Sequence, residues 1–144
     1  MMYSLKRWTI PKKAMAYIPW FYAAENEFGI PRNLLVRQAQ QESDFNPLAR
    51  NTSSGAVGMM QIVPRWHPDV DANDVYQSIM YAGKYLSDLH NQFGSWDKAL
   101  AAYNWGPGNL MKCIRAYGDN WIDHTPRETQ NYVYDITGDV KVKK

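Results

Sequence analysis

Among the residues whose type and spacing could do chemistry, Glu42 comes first. Leu35, Ala39 and Glu42 stand at offsets of four and seven, which puts all three on one face of a helix. A carboxylate on an otherwise core-facing stripe, near a helix C-terminus, is poorly solvated and close to the negative end of the helix dipole. Both effects disfavour its charged form. A carboxyl group kept protonated near neutral pH is a general acid. The plainer alternative is a surface or hydrogen-bonded glutamate. The neighbouring carboxylate, Asp44, is two positions on and points in a different direction, so a cap or turn role beside Asn46-Pro47 fits it better.

Few other groups compete. Cys113 is the single cysteine, which excludes an internal disulfide. Its neighbours Met111, Ile114 and Tyr117 read as the surroundings of an ordinary buried thiol, with no Cys-His or Ser-His-Asp arrangement about it. His67, His90 and His124 lie far apart without metal-ligand spacing, so neither a metal nor another cofactor is expected.

The elements that must position Glu42 are helical almost throughout. Residues 13–28 read either as a helix kinked at Pro19 or as a loop followed by a helix, and Gly29 breaks it. Pro31 suits the first position of a helix that runs to Ser43 and stops before Asn46-Pro47. Residues 51–58 form a polar, glycine-bearing turn region, and a short apolar run, 59–63, stops at Pro64; a small hairpin fits within 49–62. Asp74, with Gln77 in a capping-box-like arrangement, opens the longest helix, to Gln92. Ser95 caps 96–104, residues 104–108 form a tight turn that no helix crosses, and 110–117 is a short helix. Thr125-Pro126-Arg127-Glu128 reads as the cap, first-position proline and closing glutamate of a last helix that reaches Thr137. Without repeats or linkers, residues 1–144 are expected to form one mainly α domain.

Bulk properties narrow the function class. The 16 Lys and Arg residues against 14 Asp and Glu leave a net charge of +2, too weak to imply nucleic acid, and no basic cluster is interleaved with aromatics. The longest cationic run, Lys141 to Lys144, reads as a solvated tail. No apolar run approaches the ~20 residues of a membrane span, and no apolar segment of a secretion signal follows Lys6 and Arg7. Six Trp, ten Tyr and four Phe fit a well-filled core or a groove in which flat sugar faces stack; composition leaves both open.

Four segments carry a resemblance. Residues 41–47 (QESDFNP), 55–64 (GAVGMMQIVP), 101–108 (AAYNWGPG) and 128–133 (ETQNYV) follow one another in the order and spacing of the soluble lytic transglycosylases, over about residues 29–136. The resemblance implies a lysozyme-like fold and peptidoglycan glycan strands as substrate. It also implies that Glu42 is the sole catalytic acid/base, with Ser43, Met60, Gln61, Tyr103, Asn104, Glu128 and Tyr132 around the sugar. Plainer roles exist for several of these: Gln61 satisfying local backbone groups, Tyr103 and Asn104 ending a helix, Glu128 capping one. The chain departs from the family pattern at Val63, where a methionine is common, and at Ile79, where an asparagine is common. The loop after Glu42 is one residue longer than usual, so a groove serine of the family falls on Asn51 or Thr52.

A single carboxylate suits a reaction in which the substrate supplies its own nucleophile, and the family resemblance implies an anhydromuramoyl product. If Glu42 must start protonated, activity falls as pH rises through its folded-state pKa. The alternatives are a goose-type lysozyme that positions water with a second acid, and a wall-binding or virion structural module without activity. The place of action implied is the bacterial cell wall or periplasm. Lacking a visible signal, the chain is expected to be a phage protein, carried in a virion among other virion proteins or released by a holin, or a chain whose signal has been removed.

Overall fold

Proline and glycine decide where most helices begin and end. The computed structural model describes residues 8–138, in two compact units, 8–85 and 86–138, the division falling within the longest helix of the chain. The cationic tail and the residues before Trp8 lie outside the described residues.

In the first unit a 3-10 helix, Lys12–Tyr17, leads into helix α1, Ile18–Phe28. Pro19 falls in the first turn of α1, where its missing N–H costs least. Of the two readings of residues 13–28, the second is nearer, with a 3-10 turn in place of the loop. Gly29, at φ 67°, ends α1 in the left-handed conformation that glycine adopts without a Cβ penalty.

Helix α2, Leu34–Ser43, starts three residues later than Pro31. The reason is Asn33, which sits at φ 74° and cannot continue a helix. Pro31 instead opens a turn in which the Leu34 N–H donates to the Pro31 carbonyl (3.0 Å). The Asn33 side chain is held away from capping by the Tyr22 hydroxyl, which donates to Asn33 Oδ1 (2.8 Å). The start of α2 is capped from α1: Glu25 Oε1 accepts the Asn33 N–H and Oε2 the Leu35 N–H, each at 3.0 Å.

After α2 comes the small hairpin that the sequence left room for. Strands β1, Arg50–Asn51, and β2, Ala56–Val57, pair antiparallel, Arg50 against Val57 and Asn51 against Ala56. Asn51 Oδ1 closes the loop by accepting the Ser53 and Ser54 N–H groups (3.0 and 3.2 Å). Helix α3, Val75–Phe93, is capped by Asp74, whose Oδ1 accepts the Gln77 N–H (2.9 Å). The capping box is only half made, because Gln77 Oε1 accepts from the Asp71 N–H. Phe21, Leu34, Leu35, Met59, Met60 and Ile79 are fully buried in this unit. Gly83 of α3 lets α1 come close to it: a Cβ there would lie 3.2 Å from Phe28 and 3.3 Å from Ala24.

In the second unit Ser95 caps α4, Trp96–Trp105, by accepting the Lys98 N–H (3.2 Å). Helix α5, Pro107–Tyr117, begins at once after Gly106 and not at Leu110. Proline at the first position has the φ a helix needs, and Gly106, at φ 104° and ψ 135°, makes the whole change of direction. A 3-10 segment, Gly118–His124, precedes helix α6, Arg127–Thr137. The expected cap at Thr125 does not form. Its hydroxyl donates back to the Ile122 carbonyl (2.8 Å), and α6 starts without a side-chain cap. Helix α4 packs on α5 and α6, with Leu100, Leu110 and Ile136 fully buried. No described helix is long and apolar enough to cross a membrane.

Gly58 gives a direct test of the hairpin's seating. It stands at φ +81°, and a Cβ would lie 2.3 Å from the Ala72 carbonyl oxygen, a backbone atom that cannot swing aside. Gly58→Ala is expected to cost at least about 2 kcal/mol in urea unfolding, from the clash and the left-handed backbone together. A loss below about 0.5 kcal/mol, the ordinary surface range, would mean that this close approach is absent.

Candidate active site

Glu42 lies in the last turn of α2 and is half-buried, on the stripe whose other members, Leu35 and Ala39, are fully buried. Directly after it the chain leaves the helix through two consecutive left-handed residues, Asp44 (φ 52°) and Phe45 (φ 62°). Such a conformation costs a non-glycine residue about 1–3 kcal/mol and persists only when its surroundings over-determine it. Here they do. Phe45 is buried edge-on against Phe21, with ring centroids 6.2 Å apart. Asp44 pairs with Lys13, in the turn role expected of it. Ser43 Oγ donates to the Met59 carbonyl (2.7 Å) and accepts the Asn46 N–H (3.2 Å). One hydroxyl thus ties the Glu42 end of α2 to the loop that carries Met60 and Gln61.

Gln61, itself at φ 51°, donates through Nε2 to the carbonyls of Gly58 (3.0 Å) and Ala49 (3.3 Å). Two carbonyls facing the same atom fix which end of the amide is nitrogen. Gln61 therefore braces the hairpin, as the plainer reading held, and its Oε1 is the atom not used in that bracing. Met60 is fully buried and Val63 half-buried. Of the two places where a groove serine could fall, Asn51 is engaged in the hairpin loop and Thr52 is exposed.

The remaining predicted site residues belong to the second unit. Asn104, in the last turn of α4, accepts the Thr129 hydroxyl at Oδ1 (2.8 Å) and reaches Glu128 Oε2 through Nδ2 (3.4 Å). The segments around residues 104 and 128 therefore meet, joining the end of α4 to the start of α6. Glu128 is exposed and Tyr103 half-buried, while Tyr132 is buried at 4% exposure. Cys113 is a buried thiol that donates to the Trp121 carbonyl (3.3 Å), and burial raises its pKa. His67 Nδ1 lies 2.7 Å from the Tyr81 hydroxyl, and burial lowers its pKa. No group of His, Cys, Asp or Glu among the described residues has the arrangement to hold a metal ion.

The residue that sequence reasoning missed is Glu25, only 1% exposed. Its signal was available: Phe21, Ala24, Glu25 and Phe28 form a stripe at helical spacing, the pattern that singled out Glu42. Burial pushes the Glu25 carboxyl up from 4.5 to about 7, against the pull of the Asn33, Leu35 and Val36 N–H groups and the Arg32 guanidinium. Arg32 Nη1 lies 3.4 Å from Glu25 Oε1 and is half-exposed.

Residues 19–125 match the family described as the transglycosylase SLT domain. Relatives bear the same stamp. Membrane-bound lytic murein transglycosylase C of Pectobacterium atrosepticum is 28% identical over 136 residues, covering 78% of this chain and 38% of its own length. Membrane-bound lytic murein transglycosylase F 2 of Alkalilimnicola ehrlichii is 38% identical over 101 residues, covering 63% and 22%. Membrane-bound lytic murein transglycosylase C of Photorhabdus laumondii is 29% identical over 126 residues, covering 72% and 35%. The chain thus spans between about a fifth and two-fifths of the length of these relatives. The helices and the two-stranded hairpin are those of a mainly α, lysozyme-like SLT domain. Glu42 and Gln61 fall inside the matched stretch, whereas Glu128 and Tyr132 lie just beyond it.

Glu25 makes stability depend on pH, with a definite sign. Between pH 4.5 and about 7 the folded protein keeps a proton on Glu25 that the unfolded chain has released. The unfolding free energy therefore falls as pH rises through that window. We expect a contribution on the order of 3 kcal/mol, measured as the difference between wild type and Glu25→Gln in urea unfolding at several pH values. A difference that stays constant across the window would show that Glu25 titrates normally.

Proposed function

We propose, from the premise that this chain belongs to the transglycosylase SLT domain family, that it cleaves peptidoglycan glycan strands as a lytic transglycosylase with Glu42 as its single acid/base. The observation that carries the reading is the setting of Glu42: a half-buried carboxyl on a core-facing stripe, at a helix end fixed by two strained residues and the Ser43 hydroxyl. Backbone strain is concentrated where a side chain must be aimed. Residues 1–144 act as one domain in this reading, with the family motifs over about 29–136.

Glu42 first donates its proton to the glycosidic oxygen between N-acetylmuramic acid and N-acetylglucosamine. The N-acetyl group of the muramoyl residue assists departure of the leaving sugar. The Glu42 carboxylate then takes the proton of the muramoyl C6 hydroxyl, whose oxygen closes on C1. The C1–O bond to the leaving sugar is broken, a new C1–O6 bond is made, and no water is consumed. One carboxylate suffices because its proton is returned within the cycle. Gln61 serves as an acceptor through Oε1, since its nitrogen is taken by the Gly58 and Ala49 carbonyls. Ser43 and Asn104 hold their surroundings while bordering the sugar. The resemblance further assigns Met60 and Tyr132 to the site, and both are buried. Tyr103 and Glu128 are the remaining sugar contacts.

The place of action is the bacterial cell wall.

The chemistry is tested by mass spectrometry of purified peptidoglycan digested with wild type and with Glu42→Gln. Wild type is expected to release muropeptides lighter by one water and without a reducing end. Glu42→Gln should lose at least about a hundredfold in rate, the ordinary worth of a general acid/base. Reducing-end products would instead identify a hydrolase of the goose-lysozyme type. No products from walls of several bacteria would leave a binding or structural module.

A further inference from the structure

Helix α1 grips α2 at both ends. Phe21 and Glu25 lie one turn apart on the buried face of α1. Phe21 meets Phe45, three residues past Glu42, with the rings edge-on. Glu25 meets the opposite end, where its two oxygens accept the Asn33 and Leu35 N–H groups at 3.0 Å, with Arg32 Nη1 beside Oε1. A ten-residue helix is a stiff rod, so its setting at the start fixes the direction and depth of a side chain at its end. We propose that Glu25 is a positioning residue for Glu42: its buried carboxylate sets the register of α2 and thereby the placement of the catalytic carboxyl. The inference rests on the transglycosylase reading above.

The chemistry of the clamp makes it depend on charge. Both oxygens accept N–H groups, which an ionised carboxylate does fully. A protonated carboxyl accepts only weakly at its hydroxyl oxygen, and an amide nitrogen does not accept at all, so one of the two N–H groups loses much or all of its partner and the helix start shifts. The charged group that faces Glu25 is Arg32, from the turn before α2; α2 itself presents the backbone N–H groups of Asn33, Leu35 and Val36. Helix α3 reaches this corner through Gly83, against Ala24, Phe28 and Leu35. The raised pKa of Glu25 means that the clamp changes state near neutrality.

The test is steady-state kinetics on purified glycan strands, comparing wild type with Glu25→Gln at about pH 5 and about pH 8.5, on either side of the Glu25 transition. Glutamine reproduces the protonated acid. The variant should therefore match wild type within about twofold in kcat at the lower pH and fall about tenfold below it at the higher, with KM within about twofold throughout. Because both enzymes carry Glu42, its own titration cancels in the ratio. Equal kcat at both pH values would overturn the proposal, and so would the same loss at both, which is what a merely structural role gives. Should Glu25→Gln fail to fold, Arg32→Met replaces it, because that guanidinium is half-exposed and its other contacts, Asn26 Oδ1 (2.7 Å) and the Tyr22 ring, are not the N–H groups that Glu25 accepts. Removing its charge should move the pH of the kcat transition upward, and an unmoved transition would overturn the proposal. A wild type that turns over no glycan would instead sink the transglycosylase reading itself, a result recognisable before any Glu25 variant is made.

Discussion

The buried carboxylate of Glu25 is the contact on which the first unit's architecture turns. An α-helix starts with backbone N–H groups that have no partner within the helix, and α2 offers no side chain of its own to satisfy them. Its Asn33 is turned to Tyr22. A residue on a different helix therefore does the capping, and α1 and α2 are locked together end to start. Burying that carboxylate costs more than its N–H partners return, as its raised pKa records. A protein keeps such an arrangement where geometry matters more than stability.

That geometry is spent at the other end of α2. Asp44 and Phe45 take conformations that favour glycine, yet neither is glycine. Their side chains explain it, because Phe45 fills the core against Phe21 and Asp44 pairs with Lys13. The abrupt exit leaves Glu42 on the final turn and brings the Met59 carbonyl within reach of Ser43. Gln61 and Gly58 then seat the hairpin, the first through two carbonyls and the second by letting the Ala72 carbonyl approach. Strain at the helix end, a shared hydroxyl and a close backbone approach form one mechanical chain around Glu42.

The second unit uses side-chain amide chemistry to register its own helices. Asn104 has an acceptor and a donor at one tip, and it uses the acceptor for Thr129 and turns the donor to Glu128. Two segments twenty-four positions apart in sequence are thereby registered against each other. A glutamate that reads as a capping residue is in fact directed to a neighbouring helix, and the helix it would cap begins without a side-chain cap.

Periodicity and punctuation in the sequence determined most of the helices, the Asp74 and Ser95 caps and the stripe that bears Glu42, because these follow from contacts within a few residues, and they left room for the hairpin. The family resemblance was likewise legible, since it lives in short ordered segments. Tertiary structure decided the rest. Pro31 did not start α2, because Asn33 found a partner on α1 that outcompeted the local pattern, whereas Thr125 failed to cap α6 for a local reason, its hydroxyl turning back to the Ile122 carbonyl. Glu25 lay in plain view on an apolar stripe, but its role required knowing that α2 begins beside it. Gln61 read as a sugar contact by resemblance, with bracing as the plainer alternative, and only the fold put two carbonyls on its nitrogen. Local sequence fixes which groups a residue brings; which partner it meets depends on chain segments that only folding places within three ångströms or so of it.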